Sequence, residues 1–144
     1  MKKIMFVCTG NTCRSPMAEY LLKDIIKKAE ITDIKVTSAG LMANEEDKIS
    51  KNASNALKQF GITVRRFKPK RTTEELCRRQ NAIICMSASH KKYFIGFNNV
   101  YTIDELTGLG EIQDPFGKEQ EQYDECAKVL KRACESIFEL LINE

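Results

Sequence analysis

The chain is poor in the features that mark several other protein classes. Its 144 residues include a single histidine, His90, and no cysteine pair spaced C-x2-C. Structural zinc sites draw on such pairs or on clustered histidines, so no metal centre is expected. No cofactor is expected either. Long hydrophobic runs are also missing. The first apolar stretch, Ile4 to Val7, follows Lys2 and Lys3 and is too short for a membrane span or the core of a secretion signal. Neither export nor a membrane partner is therefore expected. A formal net charge of +3 is too small to point to nucleic acid. Repeats, low-complexity tracts and linkers are absent, so residues 1–144 read as one domain, expected to be monomeric. Six cysteines would suit three disulfides in a small secreted protein. With 42% apolar residues, however, the chain can build a core without such staples, and reduced cysteines in a cytoplasmic protein are the expectation.

Apolar strand-like runs alternate with helical patterns along the chain. Strands are expected at 3–8, 34–38, 82–86 and 99–103. Helices are expected at 16–29, with Met17, Leu21, Leu22, Ile25 and Ala29 on one face, and at 49–60, stopped by Gly61. A short helix begins near Thr72 to Glu75, and another runs from Ser87 to Phe94. A long loop contains Gly108, Gly110, Asp114, Pro115 and Gly117. A last helix at 120–142 aligns Tyr123, Ala127, Leu130, Cys134, Ile137 and Leu141. This alternation predicts an α/β fold: a doubly wound, four-stranded parallel sheet with helices on both faces. Ligands of such sheets bind at the carboxyl ends of the strands. Arg65, Arg66, Lys68, Lys70 and Arg71 form the most basic stretch, either a solvated loop or a docking surface for acidic or phosphorylated protein.

The most informative segment is Cys8-Thr9-Gly10-Asn11-Thr12-Cys13-Arg14-Ser15. It joins strand one to helix one, and Pro16 is a good early residue of a helix. Strand, tight loop and helix N-terminus in that order make a phosphate cradle. The C-x5-R spacing alone is weak, since six cysteines and seven arginines give it by chance at roughly one in three. Cys126 and Arg132 reproduce it inside a helical pattern, where the N–H groups are already used. Gly10, Asn11, the preceding strand and the helix start distinguish the first occurrence.

Cys8 is the candidate nucleophile. The helix N-terminus, loop N–H groups and a neighbouring arginine are expected to lower its pKa into the range of about 3.5–7.5. Arg14 presents a planar fork to two phosphoryl oxygens. Gly10 gives backbone freedom, and Asn11 can bridge loop segments and adopt a left-handed conformation. Ser15 either caps the helix or donates to the Cys8 thiolate. The leaving group needs a proton, and Asp114 in Glu111-Ile-Gln-Asp-Pro-Phe-Gly117 is the candidate acid, with Phe116 as a pocket wall. His90 reads as a surface residue. Cys85 reads as a buried strand residue, and Cys77, Cys126 and Cys134 as helix core or half-buried positions.

Cys8 to Ser15, Ser38-Ala39-Gly40 and Asp114-Pro115 together resemble the low-molecular-weight protein-tyrosine-phosphatase family, over nearly the whole chain. The resemblance implies Cys8 as nucleophile, Arg14 as phosphate binder and Asp114 as acid, then base. It also implies a cysteinyl-phosphate intermediate, no metal, and Ser38 joining Asn11 to support the loop. Protein-arginine phosphatases of bacteria share the run Cys8 to Glu19 and Asp114 to Gly117. Tyrosine-specific members usually carry a bulky aliphatic residue at the position of Thr12 and a second aromatic after Phe116. A second rim aromatic is also missing where Ala43-Asn44 falls. Phosphorylated proteins are the expected partners, phosphoarginine favoured and phosphotyrosine the alternative. Cys13 is either a small loop filler or the partner of Cys8 in a protective, reversible disulfide. Two remoter readings compete. Thioredoxin-coupled arsenate reductases use a similar loop and two further cysteines after strand three, but here no cysteine follows Cys85 until Cys126, in the last helix. A non-catalytic phosphoprotein-binding module would not need both Cys8 and Asp114.

Overall fold

The computed structural model describes residues 2–143. Strand β1 (Lys2–Cys8) is buried from Ile4 onward on both faces, as a central parallel strand must be. It pairs with β2 (Ile34–Gly40) on one side and β3 (Ala82–Cys85) on the other, and β3 pairs with β4 (Val100–Thr102). All pairings are parallel and the order is β2-β1-β3-β4. The chain leaves β1 towards one side of the sheet and later crosses to the other. The topological switch therefore lies beside β1, and the crevice opens at its carboxyl end, where Cys8 sits.

Helices cover both faces. Ile4, Phe6 and Ile84 pack with residues of α1 (Arg14–Lys28), α2 (Lys51–Lys58) and α6 (Gln120–Ile142). Met5, Val7, Ile83 and Cys85 face a smaller cluster with Cys77 of α3 (Glu74–Arg78), Phe94 and Val100. A four-residue helix, α4 (Ala88–Lys91), follows β3, and α5 (Ile103–Thr107) follows β4 directly.

The differences from the sequence expectations have local causes. Helix α1 starts at Arg14 rather than Pro16, and Ala29, expected on the buried face, is its exposed C-cap; Ile26 takes the buried position. The 49–60 helix is confined to Lys51–Lys58 because Ser50 caps its start, accepting from Ala53 N–H. The helix after Ser87 ends at Lys91 rather than Phe94. Helix α5 lies where sequence reading placed the end of a strand and a loop. Thr102 and Glu105 close a reciprocal capping box at its start, and Gly108, at φ 71°, ends it. The last helix spans the expected residues.

Candidate active site

The Cys8–Ser15 loop folds as a tight arc between β1 and α1. Asn11 takes a left-handed backbone, φ 58°, which asparagine tolerates better than most residues. Its side chain then anchors the arc. The amide donates to Ser15 Oγ and to Ser38 Oγ, each at 2.9 Å, and its carbonyl accepts from Lys70 N–H at 3.0 Å. Ser38 Oγ passes the network on to the buried Glu19 carboxylate at 2.6 Å, which also receives Lys23. Ser38, expected to support the loop, is thus hydrogen-bonded to Asn11, and Glu19 is a further member of the network.

Gly40, at the end of β2, touches the back of the arc. A Cβ there would lie 2.6 Å from Thr9 O, 2.8 Å from Asn11 N and 2.9 Å from the Gly10 carbonyl carbon. Those are backbone atoms that cannot swing aside. The N–H groups of Leu41 and Met42 donate to the carbonyls of Cys8 and Thr9 at 3.0 and 2.9 Å, and Ser50 N–H donates to Thr12 O at 2.9 Å. Loop carbonyls are thereby turned outward into main-chain bonds.

The arc encloses a cavity of about 260 Å³. Its floor comes from Cys8, Thr9, Gly10, Thr12, Cys13 and Arg14, and its rim from Asp47, Asp114 and Phe116. Cys8 Sγ lies 2.8 Å from Ser15 Oγ. Ser15 is inside α1 and behind the loop rather than lining the cavity, and no side chain caps the helix start; of its two candidate roles, the geometry holds the contact with Cys8. Arg14 is almost fully buried. Its Nη1 donates to Ile112 O at 3.0 Å, and Nη2 is 3.5 Å from Asp114 Oδ2. The guanidinium therefore ties the 108–117 loop to the cavity. Asp114 Oδ1 accepts from Phe116 N–H at 3.0 Å, an Asx turn that projects the exposed Phe116 ring at the mouth.

Electrostatics correct one expectation. Burial raises the Cys8 thiol above its ordinary pKa and outweighs the lowering influences: the Ser15 hydroxyl, the Ser15 N–H, the Arg14 charge and the Asn11 N–H. The expected stabilisers are in place, but desolvation is larger. Cys13 Sγ lies 3.4 Å from the Tyr123 hydroxyl, and burial, with that contact second, pushes the phenol up to about 12. All six cysteines are unbonded and buried.

His90 is not a surface residue. It is 5% exposed, with Nε2 3.0 Å from Thr9 Oγ1 and Nδ1 3.1 Å from Ser87 Oγ. One partner, Ser87, is local; the other, Thr9, comes from the Cys8–Ser15 loop. Burial first, then Arg14, lower its pKa, against opposing effects of Asp114 and Glu111. Asp47 is the rim residue that sequence reading missed. It sits in an acidic, exposed segment, and only the fold of residues 41–50 over the loop brings it to the cavity. None of Arg65, Arg66, Lys68, Lys70 and Arg71 lines the cavity, although the Lys70 main chain supports Asn11. The second C-x5-R, Cys126 to Arg132, lies wholly within α6 and forms no loop.

A thiol and a guanidinium facing one small cavity at the switch point of a parallel sheet are the equipment of a cysteine-based phosphatase. The profile of the low molecular weight phosphotyrosine protein phosphatase family matches residues 3–144, and the chain belongs to that family. A protein-arginine-phosphatase of Bacillus subtilis is 34% identical over 93% of this chain and 95% of its own length. The low molecular weight protein-tyrosine-phosphatase PtpB of Staphylococcus aureus is 32% identical over 84% of this chain and 86% of its own. Among solved structures, a YwlE arginine phosphatase superposes with a TM-score of 0.92 at 32% identity, covering 99% of this chain and 97% of that one. In that structure a serine has replaced the active-site cysteine and carries a phosphoryl group.

Proposed function

We propose that this chain is a protein phosphatase that hydrolyses phosphoarginine in preference to phosphotyrosine, with Cys8 as nucleophile, Arg14 as phosphate binder and Asp114 as acid and base. The loop binds the phosphoryl group with its oxygens on Arg14 and the arc's N–H groups. Cys8 sulfur, as the thiolate, attacks phosphorus, and the P–N bond to the guanidine breaks. Asp114 gives its proton to the departing nitrogen. The product is a cysteinyl-phosphate. Asp114, now a carboxylate, takes a proton from water as the water oxygen attacks phosphorus. The S–P bond breaks, inorganic phosphate leaves, and Ser15 Oγ donates to the released thiolate. Burial opposes ionisation of Cys8, and the Ser15 hydroxyl, the Ser15 N–H and the Arg14 charge are the leading groups that favour its thiolate.

The observation that carries the substrate preference is the rim. Two acidic side chains, Asp47 and Asp114, and one aromatic, Phe116, surround the mouth, while Thr12 belongs to the floor. A cationic, planar guanidinium suits carboxylates; a phenol ring needs apolar walls on both sides. The B. subtilis relative's name supports this reading. Phosphotyrosine is the second reading, supported by the exposed Phe116 ring and by the S. aureus relative. The test is phosphate release from matched phosphoarginine and phosphotyrosine peptides, with Thr12→Ile beside wild type. A phosphoarginine preference that collapses in Thr12→Ile is expected; a phosphotyrosine preference that this change leaves alone overturns it.

The setting we propose is cytoplasmic, a monomeric single domain acting on phosphorylated proteins. Among the described residues no helix is long and apolar enough to cross a membrane. Cys8 and Cys13 both line the cavity, which supports a protective disulfide. Hydrogen peroxide would oxidise Cys8 to a sulfenic acid, and Cys13 sulfur would then displace water from it. Peroxide inactivation should reverse with dithiothreitol in wild type and to a smaller extent in Cys13→Ser, where the Cys8 sulfenic acid is left to oxidise to sulfinic and sulfonic acid; sulfonic acid alone at Cys8 of the wild type would refute the idea.

A further inference from the structure

Thr37 Oγ1 is a buried hydroxyl without a hydrogen-bond partner among the described residues. Native proteins satisfy such groups with few exceptions, so an orphan asks for a ligand. Thr37 lines a cleft of about 120 Å³ at the β2 edge of the sheet, away from the larger helical layer. Four basic residues line the same cleft: Lys3, Lys35, Lys70 and Arg79.

Their arrangement follows from the strand register. Lys3 of β1 stands opposite Lys35 of β2, and Thr37 lies two residues further along, on the face that Lys35 shares. Like charges directly opposite on paired strands repel. Lys70 arrives from the segment that bonds to Gly40, and Arg79 from the end of α3. Lys3, Lys35 and Lys70 form no ion pair among the described residues. Arg79 contacts Glu75 on the same helix, but both side chains are mostly exposed, so that pair gives way at little cost. The site is separate from the active site: Lys3 and Cys8 are five residues apart on β1, roughly 16 Å.

We propose that this cleft is an anion site for a phosphate group, with Lys3, Lys35, Lys70 and Arg79 around it and Thr37 Oγ1 donating to one of its oxygens. A tetrahedral oxyanion offers several acceptors to several donors at once. The volume admits one with a few waters, each taking about 30 Å³. The phosphate is either the free ion or a phosphorylated side chain on a protein, and the two sources are separable.

The experiment is a titration of isotopically labelled protein, followed by nuclear magnetic resonance, at ionic strength held constant with chloride. One arm adds inorganic phosphate; the other adds a phosphoserine peptide beside its unphosphorylated form. Saturating shifts at Lys35 and Thr37 are expected, with a midpoint different from that of the Cys8–Ser15 loop. Saturation by inorganic phosphate assigns the free ion, and saturation by the phosphopeptide alone assigns the phosphorylated side chain. Joint Lys3→Gln and Lys35→Gln changes should weaken the first midpoint about tenfold, as loss of a charge-assisted hydrogen bond does, and leave the loop shifts and phosphatase activity in place. Thr37→Val, which keeps the shape, should weaken it too. Shifts that rise linearly, that chloride reproduces, or that survive these substitutions overturn the site.

Discussion

Burial and hydrogen bonding act on the Cys8 sulfur in opposite senses, and Ser15 is the residue through which they can be separated. Its hydroxyl is 2.8 Å from the sulfur and is the leading influence that lowers the thiol pKa. Ser15→Ala removes that influence and leaves desolvation unopposed by it, so the inflection for alkylation of Cys8 by iodoacetamide moves to higher pH. Breakdown of the cysteinyl-phosphate should also slow by about tenfold, the worth of a charge-assisted hydrogen bond. An alkylation profile identical to wild type would remove Ser15 from this role. At this scale the sequence was legible where one short segment carries the chemistry. Cys8, Arg14 and their neighbours announce a cradle because loop and helix start are contiguous. His90 and Asp47 were not legible, because their roles depend on partners 81 residues away for His90 Nε2 and on the path of a loop for Asp47.

The ends of secondary-structure elements matter more here than their middles. The carboxyl end of β2 meets the arc backbone to backbone, and Gly40 leaves no room for a side chain. Gly40→Ala should destabilise the protein by about 1–3 kcal/mol, as overpacking does. Phosphate release should fall further than that loss of folded protein explains, because the displaced atoms belong to Thr9, Gly10 and Asn11. Thermal unfolding and initial rates on the same samples check this; an active variant with an unchanged midpoint would show that the arc can retreat. The sequence pattern located all four strands and the long helix, whose apolar period, Tyr123 to Leu141, runs for about five turns. It missed α5, a helix of one turn and a half whose signal is Thr102 and Glu105 at capping-box spacing. A run that short gives no apolar period to read.

For the whole molecule, the buried imidazole links stability to acidity. His90 has a folded-state pKa below its ordinary value of 6.5, so below about that pH the unfolded chain binds the proton more readily. Its contribution to stability is present above 6.5 and is lost as the pH falls towards the folded value. Denaturant midpoints measured from pH 7.5 down to 5 should decline, and His90→Gln should flatten part of that decline; an equal decline in both proteins would place its cause elsewhere. The site itself is a product of the full topology. Cys13 at the start of α1 meets Tyr123 in α6, 110 residues later, and Arg14 holds Ile112 from a span of 98. A ribosome making this protein therefore exposes Cys8, the proposed nucleophile, before Asp114, the proposed acid, and before α6. A nascent chain is expected to gain activity only once α6 has emerged and docked, so activity assayed on ribosomes stalled at successive lengths would date that docking.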